Sequence, residues 1–181
     1  MRVISGSARG HRLKSLKGLA TRPTTDKVKE SLFNMIAPYI NGAYVLDLFA
    51  GTGSLGIETL SRGAAFAEFV DNNPAAVGII SENLVHTKLV HLAKVVKCDW
   101  RDYINRVYDR DKPFDIILMD PPYSKDLIIP VLGQLGAKQL IHKDGMIVVE
   151  AEKGDNLPES VGPLQNVRIR EYGRTIITLY S

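Results

Sequence analysis

Cysteine is nearly absent: Cys98 is the only one in 181 residues, which excludes an internal disulfide and any zinc site built on paired thiols. Its expected place is the apolar core, as a small hydrophobe. No run approaches the roughly 18 uninterrupted apolar residues of a membrane span, and the opening "MRVISGSARGHRLK" has no secretory apolar segment. A cytoplasmic protein without a membrane partner is expected. Histidine is scarce as well: His11, His86, His91 and His142 fall in the basic start or in helical and loop contexts, where they read as surface or capping residues. No hydride-relay pair stands out among them.

Charge is modest in total, at +3, but uneven in distribution. Residues 1–30 carry eight cations against two acids, a local +6 that leaves −3 for the remainder. A basic end on a slightly acidic body suits a polyanionic partner, because each neutralised phosphate releases condensed counterions. A solvated terminus would show the same charge. "RVIS" turning through "GSARG" to "HRLKS" predicts a small basic hairpin ahead of everything else. For a chain of this length, 45% hydrophobic content supplies one good core and little for a second.

The body alternates β-rich runs with helix-period stretches, the pattern of parallel strands joined by crossover helices. "AYVLDLF" (43–49), "FAEFV" (66–70), "AKVVK" (93–97), "FDIILM" (114–119) and "MIVVE" (146–150) are the strands, mostly apolar at consecutive positions as strands covered on both faces must be. "VRIRE" and "RTIITLY" flank Tyr172 and Gly173 too closely for a helix and predict an antiparallel hairpin. Helices are expected after Thr24 or Thr25, with Val28, Leu32, Met35 and Ile36 on one side until Pro38 pushes Ala37 out of helical geometry. Another runs from Leu55 to a close at Gly63, and a third follows the Asn73 cap and Pro74. The expectation is an α/β Rossmann-like domain with seven strands and about five helices. No internal repeat or long linker interrupts it.

The first strand leads into "LDLFAGTGSLGIE", where Gly51, Gly53 and Gly56 spell G-x-G-x-x-G, the spacing quoted for dinucleotides. That motif is weak taken alone. A dinucleotide needs a helix N-terminus for its pyrophosphate, and Asp47, four residues before Gly51, would repel that group. S-adenosylmethionine has no phosphate and carries an α-ammonium and a sulfonium, so an acid there is an asset. Phe49 and Ala50 in the turn join Asp47, Gly51 and Gly53 as candidate cofactor contacts. Asp71, with Asn72 beside it, ends the second strand where a carboxylate can take both ribose hydroxyls, a device nicotinamide sites share. Asp99 can contact adenine or cap a helix, and Trp100 can cover the adenine face or pack.

"FDIILMDPPYSK" (114–125) puts Asp120, Pro121, Pro122 and Tyr123 directly on the end of the fourth strand. An acid, a rigid turn and an aromatic land there on the rim that holds the glycine turn. A nucleobase amine has its lone pair delocalised into the ring and must be held toward tetrahedral geometry before it attacks. Asp120 through its side chain and Pro121 through its carbonyl can accept the two amine hydrogens, with two prolines fixing that carbonyl in advance. Tyr123 can stack on the base. No metal is required, since the sulfonium is already a good leaving group.

These residues resemble the Rossmann-like adenosylmethionine-dependent methyltransferases of exocyclic amines, whose fourth-strand motif is [D/N/S]-P-P-[Y/F/W]. Together with "ISGSARGHRLKS", "RPTTDKVKESLFNMI" (22–36) and "EYGRTIITLY" (171–180), the chain is similar nearly end to end to the bacterial 16S ribosomal RNA guanine-966 N2 methyltransferase family. The resemblance implies a basic hairpin (1–20) meeting RNA through Arg2, Arg9, Arg12 and Lys14, and a methyltransferase domain (21–181). It places Arg22 and Thr24 at the cofactor's methionine end, although each also reads as a surface charge or a helix cap. It implies 16S rRNA as partner, within an assembling or assembled 30S particle, and S-adenosylhomocysteine as product. A monomer is the simplest expectation. "GSARG" is less basic than the hairpin of many members. The motif does not name the base, since DNA adenine-N6 or cytosine-N4 transfer uses the same device. Protein-glutamine transfer, a non-catalytic scaffold and an NAD-dependent oxidoreductase compete with these readings.

Overall fold

The computed structural model describes residues 1–15, 26–107, 112–122 and 126–181. Five strands, β1 (Tyr44–Leu48), β2 (Phe66–Asp71), β3 (Ala93–Lys97), β4 (Phe114–Met119) and β5 (Ile141–Glu152), pair in parallel in the order β3-β2-β1-β4-β5. The sheet then continues antiparallel through β8 (Thr175–Tyr180) and β7 (Leu164–Tyr172) to the two-residue β6 (Ser160–Val161). That last short strand makes eight among the described residues, one more than the sequence pattern predicts, because two residues carry no periodicity. The Rossmann-like architecture and the C-terminal antiparallel hairpin are as expected.

Among the described residues five α-helices cover both faces: α1 (Asp26–Ile40), α2 (Ser54–Ser61) and α3 (Pro74–His86) on one, α4 (Trp100–Val107) and α5 (Ile128–Ala137) on the other. Side chains alternate along a strand, so each strand supplies both cores. Val45, Ile116, Leu118 and Val148 face the first set of helices, while Leu46, Leu48, Ile117 and Val149 face the second. Cys98 is buried and free, as a small core residue.

Local chemistry explains the ends of these elements. Asn73 accepts the Ala75 N–H at 2.9 Å, with Pro74 at the first helical position of α3. Gly63 closes α2 in left-handed geometry at φ 106°, its N–H donating to Leu60 O at 3.1 Å. One expectation fails: α1 does not stop before Pro38 but runs through it to Ile40. Pro38 sits in the last turn, where a missing N–H forfeits one hydrogen bond at most, and burial of Ile36 and Ile40 outweighs it. The cap at Thr24 or Thr25 lies outside the described residues.

The start forms a hydrogen-bonded hairpin: Val3 N–H donates to His11 O at 3.0 Å and Gly10 N–H to Val3 O at 2.9 Å. Only Arg2 and Arg12 pair as a regular bridge. Val3, Ala8 and Leu13 are buried in the first core. Its polar anchor is an ion pair that is itself buried. Lys29 on α1 and Glu58 on α2 meet at 3.0 Å with their side chains 1% and 0% exposed. Glu58 also accepts the N–H groups of Ile4 (2.8 Å) and Ser5 (3.0 Å) and the Arg62 Nε (2.8 Å). Lys29 donates to Arg2 O at 2.7 Å and Ser54 Oγ at 3.3 Å.

Candidate active site

Strand order reverses between β1 and β4, and in such sheets the ligand lies beyond the carboxyl ends of the strands at that switch point. The glycine turn follows β1 there and the Asp-Pro-Pro turn follows β4. Leu48 is paired with Met119, so the two turns leave the sheet side by side.

The turn after β1 is wound left-handed at three of five positions, Phe49 (φ 66°), Gly51 (φ 56°) and Gly53 (φ 75°). Phe49 has a Cβ, so its conformation stores strain of about 1–3 kcal/mol. Bonds that hold the turn include Ala50 N–H to Val70 O at 3.0 Å, Gly53 N–H to Ala50 O at 2.7 Å and Gly51 N–H to the Asp71 Oδ2 at 2.8 Å. Asp71 accepts a second backbone N–H, from Asn73, through Oδ1 at 2.9 Å. Both oxygens keep a further lone pair for a ligand.

Gly56 has a different purpose. A Cβ there would lie 2.4 Å from Phe69 Cε1 and 2.9 Å from Asp47 Oδ2, so the third glycine is what lets α2 settle onto the sheet. Asp47, 2% exposed, accepts the Gly56 N–H at 2.8 Å. The anion position at the start of α2, which a pyrophosphate would use, is thus taken by the protein's own carboxylate. That occupancy disfavours a dinucleotide on physical grounds. Gly56→Ala should cost about 1–3 kcal/mol by overpacking, read as a lower denaturant midpoint at unchanged m-value.

Three acids on adjacent strand ends share one face of the sheet. Asp47, Asp120 and Glu150 continue the Val45, Leu118 and Val148 series on the α1–α2 side, and pairing of Met119 with Val149 sets Asp120 beside Glu150. Burial pushes the Asp47 carboxyl up to about 8, against its bond from Gly56 and helped by Asp71. Asp120 is raised well above the carboxylate range, first by burial, then by the charges of Glu150 and Asp47. The residue keeps part of its surface open at the rim. The site is therefore built to receive positive charge.

Other expected residues distribute as follows. Pro121 is buried and Pro122 exposed next to Asp120, while Asn72 is exposed at the rim beside Asp71. Asp99 takes the capping role, its Oδ1 accepting the Arg101 N–H at 2.9 Å. Trp100 packs in the second core at 5% exposure, under the Arg101 guanidinium at 4.5 Å. Tyr123, Arg22 and Thr24 lie outside the described residues. On the hairpin, Arg2 pairs with Asp26 and Lys14 with Glu82, both at the surface, while Arg9 and Arg12 are exposed.

Asn83 is a residue the sequence pattern passes over. Fully buried on α3, it donates to Thr52 O at 2.9 Å and Lys14 O at 3.2 Å and accepts the Lys14 N–H at 2.8 Å. It ties the glycine turn to the hairpin. A polar residue three positions after Ile80, on the apolar side of its helix, is the signal that could have found it.

A sheet of this order, with a glycine turn and an acid-Pro-Pro turn at its switch point, is that of the Rossmann-like methyltransferases. The solved structure of an Escherichia coli protein, yhhF, named provisionally as a methyltransferase, superposes with a TM-score of 0.85 at 34% identity, over 99% of this chain and 96% of that one. The chain belongs to the family described as "Conserved hypothetical protein 95", whose model matches residues 1–181. It is 35% identical over 181 residues to the ribosomal RNA small subunit methyltransferase D of Escherichia coli K12, spanning 100% of this chain and 89% of that protein. It is 44% identical over 181 residues to Bacillus subtilis YlbH, whose name gives rRNA methylation provisionally, covering 100% and 98% of the two.

Proposed function

We propose that this protein transfers a methyl group from S-adenosylmethionine to the exocyclic N2 amine of a guanine in 16S ribosomal RNA, within an assembling or assembled 30S particle. Adenosylmethionine-dependent rRNA methylation is the broader activity, supported by the names of full-length relatives. The observation that carries the reading is the end of β4, where Asp120 and the buried Pro121 stand beside the glycine turn.

The bound sulfonium supplies an electrophilic methyl carbon. The chain supplies position and charge, and alignment of this kind reaches effective molarities of about 10⁵ to 10⁸ M. Asp71 takes the ribose hydroxyls with the lone pairs left after its bonds to Gly51 and Asn73. Phe49, Ala50, Gly51 and Gly53 line the cofactor with backbone, and Asn72 and Asp99 border the adenosine side, with Trp100 packed in the core behind Asp99. Arg22 and Thr24 border the methionine end. Asp120 and the Pro121 carbonyl accept the amine hydrogens, Pro122 stiffens the turn and Tyr123 stacks on the base. Asp120, once ionised, takes the proton that the methylated nitrogen sheds. Arg2, Arg9, Arg12 and Lys14 meet the RNA backbone.

Asp47 makes one part of this reading measurable. A cation bound beside it favours the carboxylate and lowers its pKa, so below about pH 8 cofactor binding must expel a proton. Affinity for S-adenosylmethionine is expected to rise from pH 6 to 8 and then level. Titration calorimetry in buffers of different ionisation enthalpy should show the release at pH 7, and Asp47→Asn should diminish it.

Labelled methyl transfer to free 16S rRNA and to 30S particles from a strain lacking the enzyme, with nucleoside analysis, tests the whole reading. N2-methylguanosine is the expected product, with particles labelled more than free RNA. A different methylated nucleoside would overturn the guanine assignment.

A further inference from the structure

The Asp-Pro-Pro device holds any amine, so something else must distinguish guanine from adenine. Beside it lies a cavity of about 170 Å³ lined by Pro121, Pro122, Asp126, Leu127, Asp155 and Asn156, among others. Sites for drug-sized ligands run to about 300–1,000 Å³, so this one suits a single flat base. It opens from the two prolines themselves, so a base whose amine is held by Asp120 and the Pro121 carbonyl turns its remaining edge toward this space.

We infer that Asp155 and Asn156 read that edge, Asp155 accepting the N1–H of the target guanine and Asn156 donating to its O6. The inference rests on the guanine-N2 reading above. Guanine presents N1–H, a donor, immediately beside its amine, and then O6, an acceptor. Adenine presents a bare N1 acceptor beside its amine. A carboxylate at that place accepts from guanine and faces adenine lone pair to lone pair.

Asp155 is fixed for the task. Its Oδ2 accepts the Glu152 N–H at 2.7 Å, and its own N–H donates to Glu152 O at 3.0 Å. One oxygen is spent on holding the side chain, and Oδ1 accepts no hydrogen bond from the described residues. The loop follows directly on β5, the strand paired with β4, so its position is tied to Asp120 through the sheet. Asn156 follows with its amide exposed, and Asp126 on the cavity wall adds a second negative charge that favours a donor-bearing edge. Sites that hydrogen-bond one substrate reject an analogue lacking the partner more strongly than apolar pockets do, because buried polar groups are left unpaired.

The test uses RNA carrying 2-aminopurine in place of the target guanine, which keeps the N2 amine but loses N1–H and O6. The wild-type enzyme should methylate it with kcat/KM lowered at least tenfold relative to guanine. Asp155→Asn keeps an oxygen for the Glu152 N–H and offers an amide N–H to N1, so it should lower activity on guanine while narrowing or reversing that preference. Asn156→Ala should lose on guanine and leave 2-aminopurine unchanged. Thermal melting and S-adenosylhomocysteine binding of each variant check that the fold and cofactor site persist. Equal rates of the wild type on both RNAs, or an unaltered preference in an intact Asp155→Asn protein, would overturn the inference and leave the guanine reading standing. Absence of N2-methylguanosine from the natural substrate would instead overturn the guanine reading.

Discussion

Asp120→Ala is expected to abolish methyl transfer while S-adenosylhomocysteine still binds. The amine is a poor nucleophile whose two hydrogens need acceptors in fixed places, and removal leaves the Pro121 carbonyl as the sole remaining one. Loss of a preorganised electrostatic partner of this kind costs about 10²- to 10³-fold in kcat, and proton transfer by a positioned group adds 10²- to 10⁴-fold where it is needed. The fall should sit in the chemical step, seen in single-turnover rates rather than in KM. Asp120→Asn keeps an acceptor oxygen without the charge and should retain more activity than alanine. Full turnover by the alanine variant would refute the assignment.

The same residue should reveal a conflict between stability and activity. Burial raises the Asp120 carboxyl, with the charges of Glu150 and Asp47 adding to it, so the folded protein binds more protons there than the unfolded chain. Stability must then fall as pH rises from the ordinary carboxylate range toward the raised value. Asp120→Asn removes that dependence. The variant should melt higher than the wild type, by a margin that grows as pH rises above the ordinary carboxylate range.

The second large effect lies away from the chemistry. Glu58→Ala strips a buried carboxylate from Lys29, Arg62 and the backbone N–H groups of Ile4 and Ser5 at once. Breaking a buried pair by removing one partner typically costs about 3–5 kcal/mol, because an uncompensated charge is left inside. Lys29 is the charge in question: burial already lowers its pKa, and Glu58 is the main group opposing that. Denaturant unfolding should show the full loss, and amide exchange at Ile4 and Ser5 should accelerate. Lys29→Met should cost less than Glu58→Ala, since Glu58 then keeps Arg62 and both backbone donors. The reverse order would mean that the hairpin is held mainly by its apolar contacts through Val3, Ala8 and Leu13.

Local chemistry made much of this protein legible. Consecutive apolar runs gave five parallel strands, Asn73-Pro74 gave the start of α3, and Tyr172-Gly173 gave the C-terminal hairpin. Each depends on neighbours in the chain, where propensity, capping and periodicity act. Asp120 and the glycine turn were legible for the same reason, since both sit in short contiguous motifs at strand ends. Pro38 misled because propensity predicts a boundary, and burial of Ile36 and Ile40 decided otherwise.

Residues distant in the chain had no such signature. "MIVVE" reads as the end of a strand, and only the register of β4 against β5 makes its Glu150 the neighbour that raises Asp120. Lys29 and Glu58 are ordinary surface-type residues on two helices until those helices pack and bury both. Asn83 likewise acquires its partners, Thr52 and Lys14, through packing. The linear order of residues thus specified the elements, the glycine turn and the acid-Pro-Pro rim, because those depend on bonds and sterics over a few residues. Which charges are buried together came from three-dimensional packing, because desolvation and Coulomb energy depend on distance in space and on exclusion of water.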